Sequence, residues 1–100
     1  MSLLEDHCAE PLTTADVAEA VGVSVRSLQE AFANHLGTTP MAHLRGIRMR
    51  RIHAELRLGG DGVTVTDVAL RWGVTHLGRF AQEYRRMFGE SPSQTLRRGS

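Results

Sequence analysis

Two stretches of this chain repeat one another. Asp16, Val17, Ala18, Gly22 and Val23 are matched by Asp67, Val68, Ala69, Gly73 and Val74 at an offset of 51 residues. Beyond the glycine the offset becomes 52: Leu28 pairs with Phe80, Phe32 with Tyr84, Leu36 with Phe88, and Gly37, Pro40 and Leu44 with Gly89, Pro92 and Leu96. Such a self-match marks two copies of one supersecondary unit. Whatever that unit is, the chain must bury it twice within 100 residues.

The spacing inside each copy is that of a helix-turn-helix. A small residue lets two helices cross closely, and a glycine four positions later turns the chain. An apolar residue beyond it packs the second helix back on the first. Ala18, Gly22 and Leu28 fill those places in the first copy; Ala69, Gly73 and Phe80 fill them in the second. The extra residue of the second copy fits in the turn or in the first turn of the following helix. Thr13 or Thr14, and Thr66, are candidate N-caps of the first helices, with Asp16 and Asp67 where the helix dipole favours a carboxylate. Ser24 and Thr75 are candidate caps of the second helices, which Gly37 and Gly89 should end. Thr39-Pro40 and Ser91-Pro92 supply a cap and a first-turn proline for a further helix in each copy.

No alternating strand pattern interrupts this. The predicted fold is all-α, with two three-helix, homeodomain-like helix-turn-helix lobes joined by a long central helix, about seven helices in all. The first lobe is expected over 10–39, the joining helix over 40–56, a glycine-rich loop over 57–65 and the second lobe over 66–98. Apolar residues make up 41% of the chain, enough for one modest core shared between the lobes. No stretch approaches the roughly 18 apolar residues of a membrane span, so no membrane association is expected, and no signal peptide is visible. A lone Cys8 excludes an internal disulfide and fits a reducing cytoplasm, the expected location.

Net charge is only +1, but it is unevenly distributed. Residues 1–44 carry −5, residues 45–58 carry +4 and residues 59–100 carry +2. All 12 cationic side chains are arginine. Arginine suits bidentate contacts with phosphate and guanine, so the basic half is expected to face double-stranded DNA rather than merely to solvate a helical surface. The joining helix, roughly 25 Å long at about 1.5 Å per residue, places Met41, Leu44, Met49, Ile52 and Leu56 on one arc. Arg50 and Arg57 point away from that arc, while Arg45 and Arg48 fall within it. Two readings of Arg48 stand, a semi-buried ion pair and a phosphate contact. A helix this long suits two reading helices on one DNA face, where major grooves recur about every 34 Å. The expectation is a monomer reading an asymmetric site in two parts.

Helix phase selects the side chains that would touch DNA. In the first reading helix Leu28, Ala31 and Phe32 are expected inward, leaving Val25, Arg26, Gln29 and Glu30 exposed. Arg26 suits guanine O6 and N7, and Gln29 suits adenine N6 and N7. Glu30 either accepts from a cytosine amino group or is simply solvated. In the second helix Phe80, Tyr84 and, in part, Met87 and Phe88 should face the core, leaving His76, Leu77, Gly78, Arg79 and Gln82. Arg79 and Gln82 have base-pairing chemistry, Leu77 suits a thymine methyl, and Gly78 permits close backbone approach. Arg85 and Arg86, one turn later, suit phosphates. Ser24 and Thr75 would offer hydroxyl and backbone N–H groups to phosphates at helix N-termini.

Catalytic chemistry finds little support. The five histidines form no H-x₃-H pair, one cysteine cannot build a zinc cage, and no phosphate-binding or nucleophile-elbow motif occurs. No enzyme activity, metal or cofactor is expected. His7 and Cys8 are placed near a mobile terminus. Trp72 is either core or a partner-docking surface.

The chain resembles the DNA-binding domain of the AraC/XylS family of bacterial transcription regulators, over about residues 10–98. The similarity is strongest in V-T-D-V-A-L-R-W-G-V-T-H-L-G-R-F-A-Q-E-Y-R-R-M-F-G-E-S-P. Two unequal helix-turn-helix copies, a long joining helix and F-G-x-S-P must coincide for it. It departs at Val74, where the family usually has phenylalanine, and in its acidic first lobe, which bears on that lobe's share of the DNA affinity. The resemblance implies base-facing roles for Leu77, Gly78, Arg79 and Gln82. It further implies a promoter operator as partner, contact with RNA polymerase, and an effector ligand bound only through a separate domain. The chain is therefore expected to be a piece of a longer regulator, although stand-alone two-lobe members exist. The alternative is a protein-interaction module, contacting RNA polymerase or another regulator with little direct DNA reading.

Overall fold

A computed structural model describes residues 8–99, and they form six helices with no strand among them. These are α1 (Thr14–Val21), α2 (Val25–Leu36), α3 (Pro40–Leu58), α4 (Val65–Arg71), α5 (Leu77–Phe88) and α6 (Pro92–Gly99). The backbone divides into two compact units between Ile47 and Arg48, inside α3. Among the described residues no helix is long and apolar enough to cross a membrane.

Local chemistry explains most helix ends. Thr13 caps α1 reciprocally: its hydroxyl accepts from the Asp16 N–H at 3.1 Å, and the Asp16 carboxylate accepts from the Thr13 N–H at 2.9 Å. Ser24 caps α2 through the Ser27 N–H at 3.0 Å, and Thr39 starts α3 through the Ala42 N–H at 3.1 Å. Ser91 and Gln94 cap α6 in the same reciprocal way as Thr13 and Asp16. Gly37 and Gly89 close α2 and α5 in the left-handed conformation, with φ of 66° and 74°.

Four boundaries or faces differ from those the sequence suggests. Thr64, not Thr66, caps α4, its hydroxyl accepting from the Asp67 N–H at 3.1 Å. An acid three residues beyond the cap is the arrangement of Thr13 and Asp16, and Thr66 has no such partner. The joining helix runs to Leu58, because the first left-handed residue after it is Gly59. This leaves a loop of residues 59–64 rather than 57–65. His76 rather than Thr75 is the N-cap of α5, and its side chain makes no capping bond. Finally, Ala31 and Met87 are exposed, because α2 and α5 each bury only a narrow stripe, Leu28 with Phe32 and Phe80 with Tyr84.

In the first unit Cys8, Val17, Ala18, Leu28, Phe32, Pro40, Leu44 and Ile47 are buried apolar residues. Cys8 is thus core, not part of a loose end; its neighbour His7 lies outside the described residues. Phe32 meets the His43 ring edge-on at 5.7 Å, joining α2 to the first turns of α3. In the second unit Met49, Ile52 and Leu56 of α3 pack with Val68 and Ala69 of α4 and with Phe80 and Tyr84 of α5. Trp72 packs partly buried against this cluster, which favours its core reading. Of the arginines that fell within the α3 apolar arc, Arg45 is exposed, whereas Arg48 is half-buried and engaged by a neighbour.

A chain of polar side chains runs through the second core. The Tyr84 hydroxyl, fully buried, donates to Thr95 Oγ1 at 2.7 Å, and Thr95 donates to Glu90 Oε2. Arg98 closes on the other oxygen of Glu90 at 2.9 Å. His53 Nδ1 lies 2.8 Å from the Tyr84 oxygen. Tyr84 has one proton and gives it to Thr95, so His53 must be the donor. The His53 ring also stacks on Phe88, with centroids 4.1 Å apart.

Burial pushes the Tyr84 phenol above its ordinary value near 10; Thr95 opposes the rise and the Glu90 charge adds to it. The folded state therefore favours the neutral phenol. That stability is complete below the unfolded value and is lost as pH rises through the folded one. With one tyrosine and no lysine in the chain, absorbance at 295 nm should show tyrosinate forming with a midpoint above 10 in the native protein. The midpoint should return to about 10 in denaturant. The caps give a second expectation, measured by urea unfolding. Ser24→Ala should cost about 1 kcal/mol, whereas His76→Ala, which removes no capping bond, should stay within about 0.5 kcal/mol.

Candidate nucleic-acid interface

Helix α5 begins at Leu77 and turns Phe80 and Tyr84 into the core, with Phe88 partly buried behind them. At 100° per residue the opposite face carries Arg79, Gln82 and Arg86, with Gly78 and Arg85 beside them. All five are exposed. Leu77, at the helix start, is 40% exposed. None of Arg79, Arg85 and Arg86 makes an ion pair with any described residue. The one acid on the helix, Glu83, is half-buried on its flank. The outward face of α5 is thus one amide, three unneutralised guanidiniums and a glycine. Such a face suits hydrogen bonding to base edges and charge pairing with phosphates.

Helix α2 differs on the matching face. Arg26 and Glu30 are both exposed and bonded to each other, Nε to Oε1 at 3.1 Å. The repeat offset of 52 puts Glu30 at the place of Gln82 and Arg26 at the place of Gly78. Gln29 is exposed but stands on the flank, nearer the buried stripe than Glu30. The Ser24 hydroxyl is engaged twice, accepting from the Ser27 N–H and donating to Ser27 Oγ at 2.9 Å. Thr75 is exposed and precedes the α5 cap.

The sequence-selected residues therefore fall into two groups. Leu77, Gly78, Arg79, Gln82, Arg85 and Arg86 lie together on α5, with Thr75 just before its cap; Arg26 and Gln29 lie on α2, with Ser24 as its N-cap, in the other unit. Charge follows the same division. Residues 48–100 carry a net +5 and residues 1–47 a net −4. Sequence reasoning did not find the residues that hold α5 in place, His53, Thr95, Glu90 and Arg98. The available signal was small: tyrosine stands at 84 where the repeat has Phe32, and a buried phenol needs a partner. Arg71, bonded to Glu55 at 2.8 Å, fastens α4 to α3 in the same unit. Among the described residues no group of three His, Cys, Asp or Glu side chains comes together as a metal site would require.

Residues 17–98 match a family model described as a helix-turn-helix domain. The chain is 55% identical over 95 residues to a probable thc operon regulatory protein of Rhodococcus erythropolis, covering 94% of this chain and 29% of that protein. It is 40% identical over 99 residues to XylDLEGF operon transcriptional activator 3 of Pseudomonas putida, covering 98% of this chain and 30% of that one. The chain thus spans under a third of the length of these curated relatives. Among solved structures, a probable AraC family transcriptional regulator from Rhodopseudomonas palustris superimposes with a TM-score of 0.90 at 38% identity. That alignment covers 98% of this chain and 91% of the other. An AraC-type structure from Chromobacterium violaceum gives 0.87 at 30% identity, over 99% and 87% of the two chains. On these matches, which agree with the helix order, the chain belongs to the AraC family, as a helix-turn-helix DNA-binding domain.

Proposed function

We propose that this domain delivers sequence-specific binding of a promoter operator for a bacterial transcription regulator. A single chain reads an asymmetric site in two parts, α5 entering one major groove and α2 another. The observation that carries the reading is the outward face of α5, where Arg79, Gln82, Arg85 and Arg86 are exposed and the three guanidiniums have no acid partner among the described residues. Arg79 and Gln82 read bases, with Leu77 against a thymine methyl; Arg85 and Arg86 hold phosphates. Arg26 and Gln29 read bases in the second groove, and Ser24 and Thr75 approach phosphates near the helix starts. The two-part site is supported by the repeat itself and by the 19 residues of α3, about 28 Å of helix. The two relatives described above are operon regulators by name, so the chain is read as the DNA-reading part of such a protein, acting in the cytoplasm at the nucleoid. An effector ligand would act through other parts of the full protein.

A second reading concerns the first unit. Its net charge is −4, and Arg26, its cation on the reading helix, is bonded to Glu30. DNA phosphates repel such a surface, so α2 contributes the smaller share of affinity and leaves an acidic face suited to a protein contact, RNA polymerase included.

Selection of bound duplexes from a random pool, at fixed salt, tests both readings. Two conserved blocks about one helical turn apart are expected. One short block would confine DNA reading to α5, and no enrichment would favour the protein-contact reading. Within the selected site Arg79→Ala should cost about 1–3 kcal/mol and relax the choice at one position. Arg86→Ala should weaken all sequences alike and flatten the salt dependence by about one contact. An unchanged sequence preference in Arg79→Ala would remove that residue from the reading set.

A further inference from the structure

We infer that Gly78 is a specificity-determining residue whose bare Cα seats the C5-methyl group of a thymine; the inference rests on α5 being the DNA-reading helix. Glycine in a helix weakens it relative to alanine, so its presence in the first turn of α5 calls for a reason. The backbone gives none, because Gly78 is not among the glycines with positive φ. Packing gives none either, because a Cβ built at Gly78 meets nothing within 4 Å. Gly99 shows the contrast: there a Cβ would land on the carbonyl oxygen of Arg57, and the fold itself demands glycine. The matching place in the first copy is held by Arg26, a long side chain, so the unit does not require a small residue there.

What remains is the outward side. Gly78 sits on the exposed face beside Leu77, which is 40% exposed, and one turn before Gln82. Without a Cβ the helix axis can approach the groove floor more closely at this point. The gap is bordered by an apolar side chain and by an amide whose best base partner is adenine. The thymine methyl is the apolar group that the major groove displays beside that adenine edge. A methyl group fits where a β-carbon would otherwise stand.

The test compares the wild-type chain with Gly78→Ala on the duplex that wild type selects. Alanine should raise Tm by about 2–4 °C, since it strengthens the helix. It should also lower affinity for the selected site at least tenfold while leaving random duplex binding within twofold. Replacing one thymine of that site by deoxyuridine, which removes only the methyl, should weaken wild type about fourfold and leave Gly78→Ala unaffected. Equal affinity and an identical selected motif for the two chains would overturn the inference while leaving DNA reading by α5 intact. A tenfold loss in Gly78→Ala with no thymine sensitive to deoxyuridine would overturn the methyl seat. Failure of wild type to select any motif would overturn the reading of α5 and the inference together.

Discussion

The orientation of α5 depends on one buried hydroxyl. Tyr84 is fully buried between the helix that faces outward and the two that support it, and a phenol left there without partners would cost about 1–3 kcal/mol. It is instead bonded on both sides, to His53 of α3 and to Thr95 of α6. The direction of the protons is fixed along the whole chain. Glu90 accepts from Thr95, so Thr95 must accept from Tyr84, and Tyr84 must accept from His53. Thr95 Oγ1 has the Ser91 carbonyl at 3.4 Å as a second, longer acceptor, and the directed bonds make the arrangement specific in a way that apolar packing alone is not. A rotation of α5 about its axis would break these bonds and turn Arg79 and Gln82 away from their present direction.

The two copies show how one scaffold supports different surfaces. Both bury the same stripe, Leu28 with Phe32 in α2 and Phe80 with Tyr84 in α5, and both end in a left-handed glycine. On the opposite face they diverge. Positions 26 and 30 hold an arginine and a glutamate joined at 3.1 Å; positions 78 and 82 hold a glycine and a glutamine. An exposed pair of that kind contributes little to stability, about 0.3–0.5 kcal/mol. Its larger effect is electrostatic, because it neutralises the cation that α2 would otherwise offer to a phosphate-lined groove. The acidic character of the first unit acts in the same direction.

Cap chemistry differs between the copies as well. Ser24 uses its hydroxyl to close the first turn of α2, so that oxygen is already committed. His76 stands at the same place in α5 without a capping bond. The first turn of α2 is thus closed by its own cap hydroxyl, whereas no cap side chain closes that of α5.

Much of this was legible in the sequence because it is local. The repeat identified the helix-turn-helix units, the i, i+4 spacing of Leu28 with Phe32 and of Phe80 with Tyr84 identified their buried stripes, and the exposed set on α5 followed from the same phase. Boundaries went astray where two local signals competed, as with Thr64 against Thr66. The family followed from the same motifs. Tertiary structure alone decided what holds the outward face in place. His53 and Tyr84 are 31 residues apart, Arg71 and Glu55 are 16 apart, and Tyr84 and Thr95 are 11 apart. A hydrogen bond between residues so distant leaves no periodic trace in the chain. Its partners are chosen only when three helices have closed around the hydroxyl that needs them.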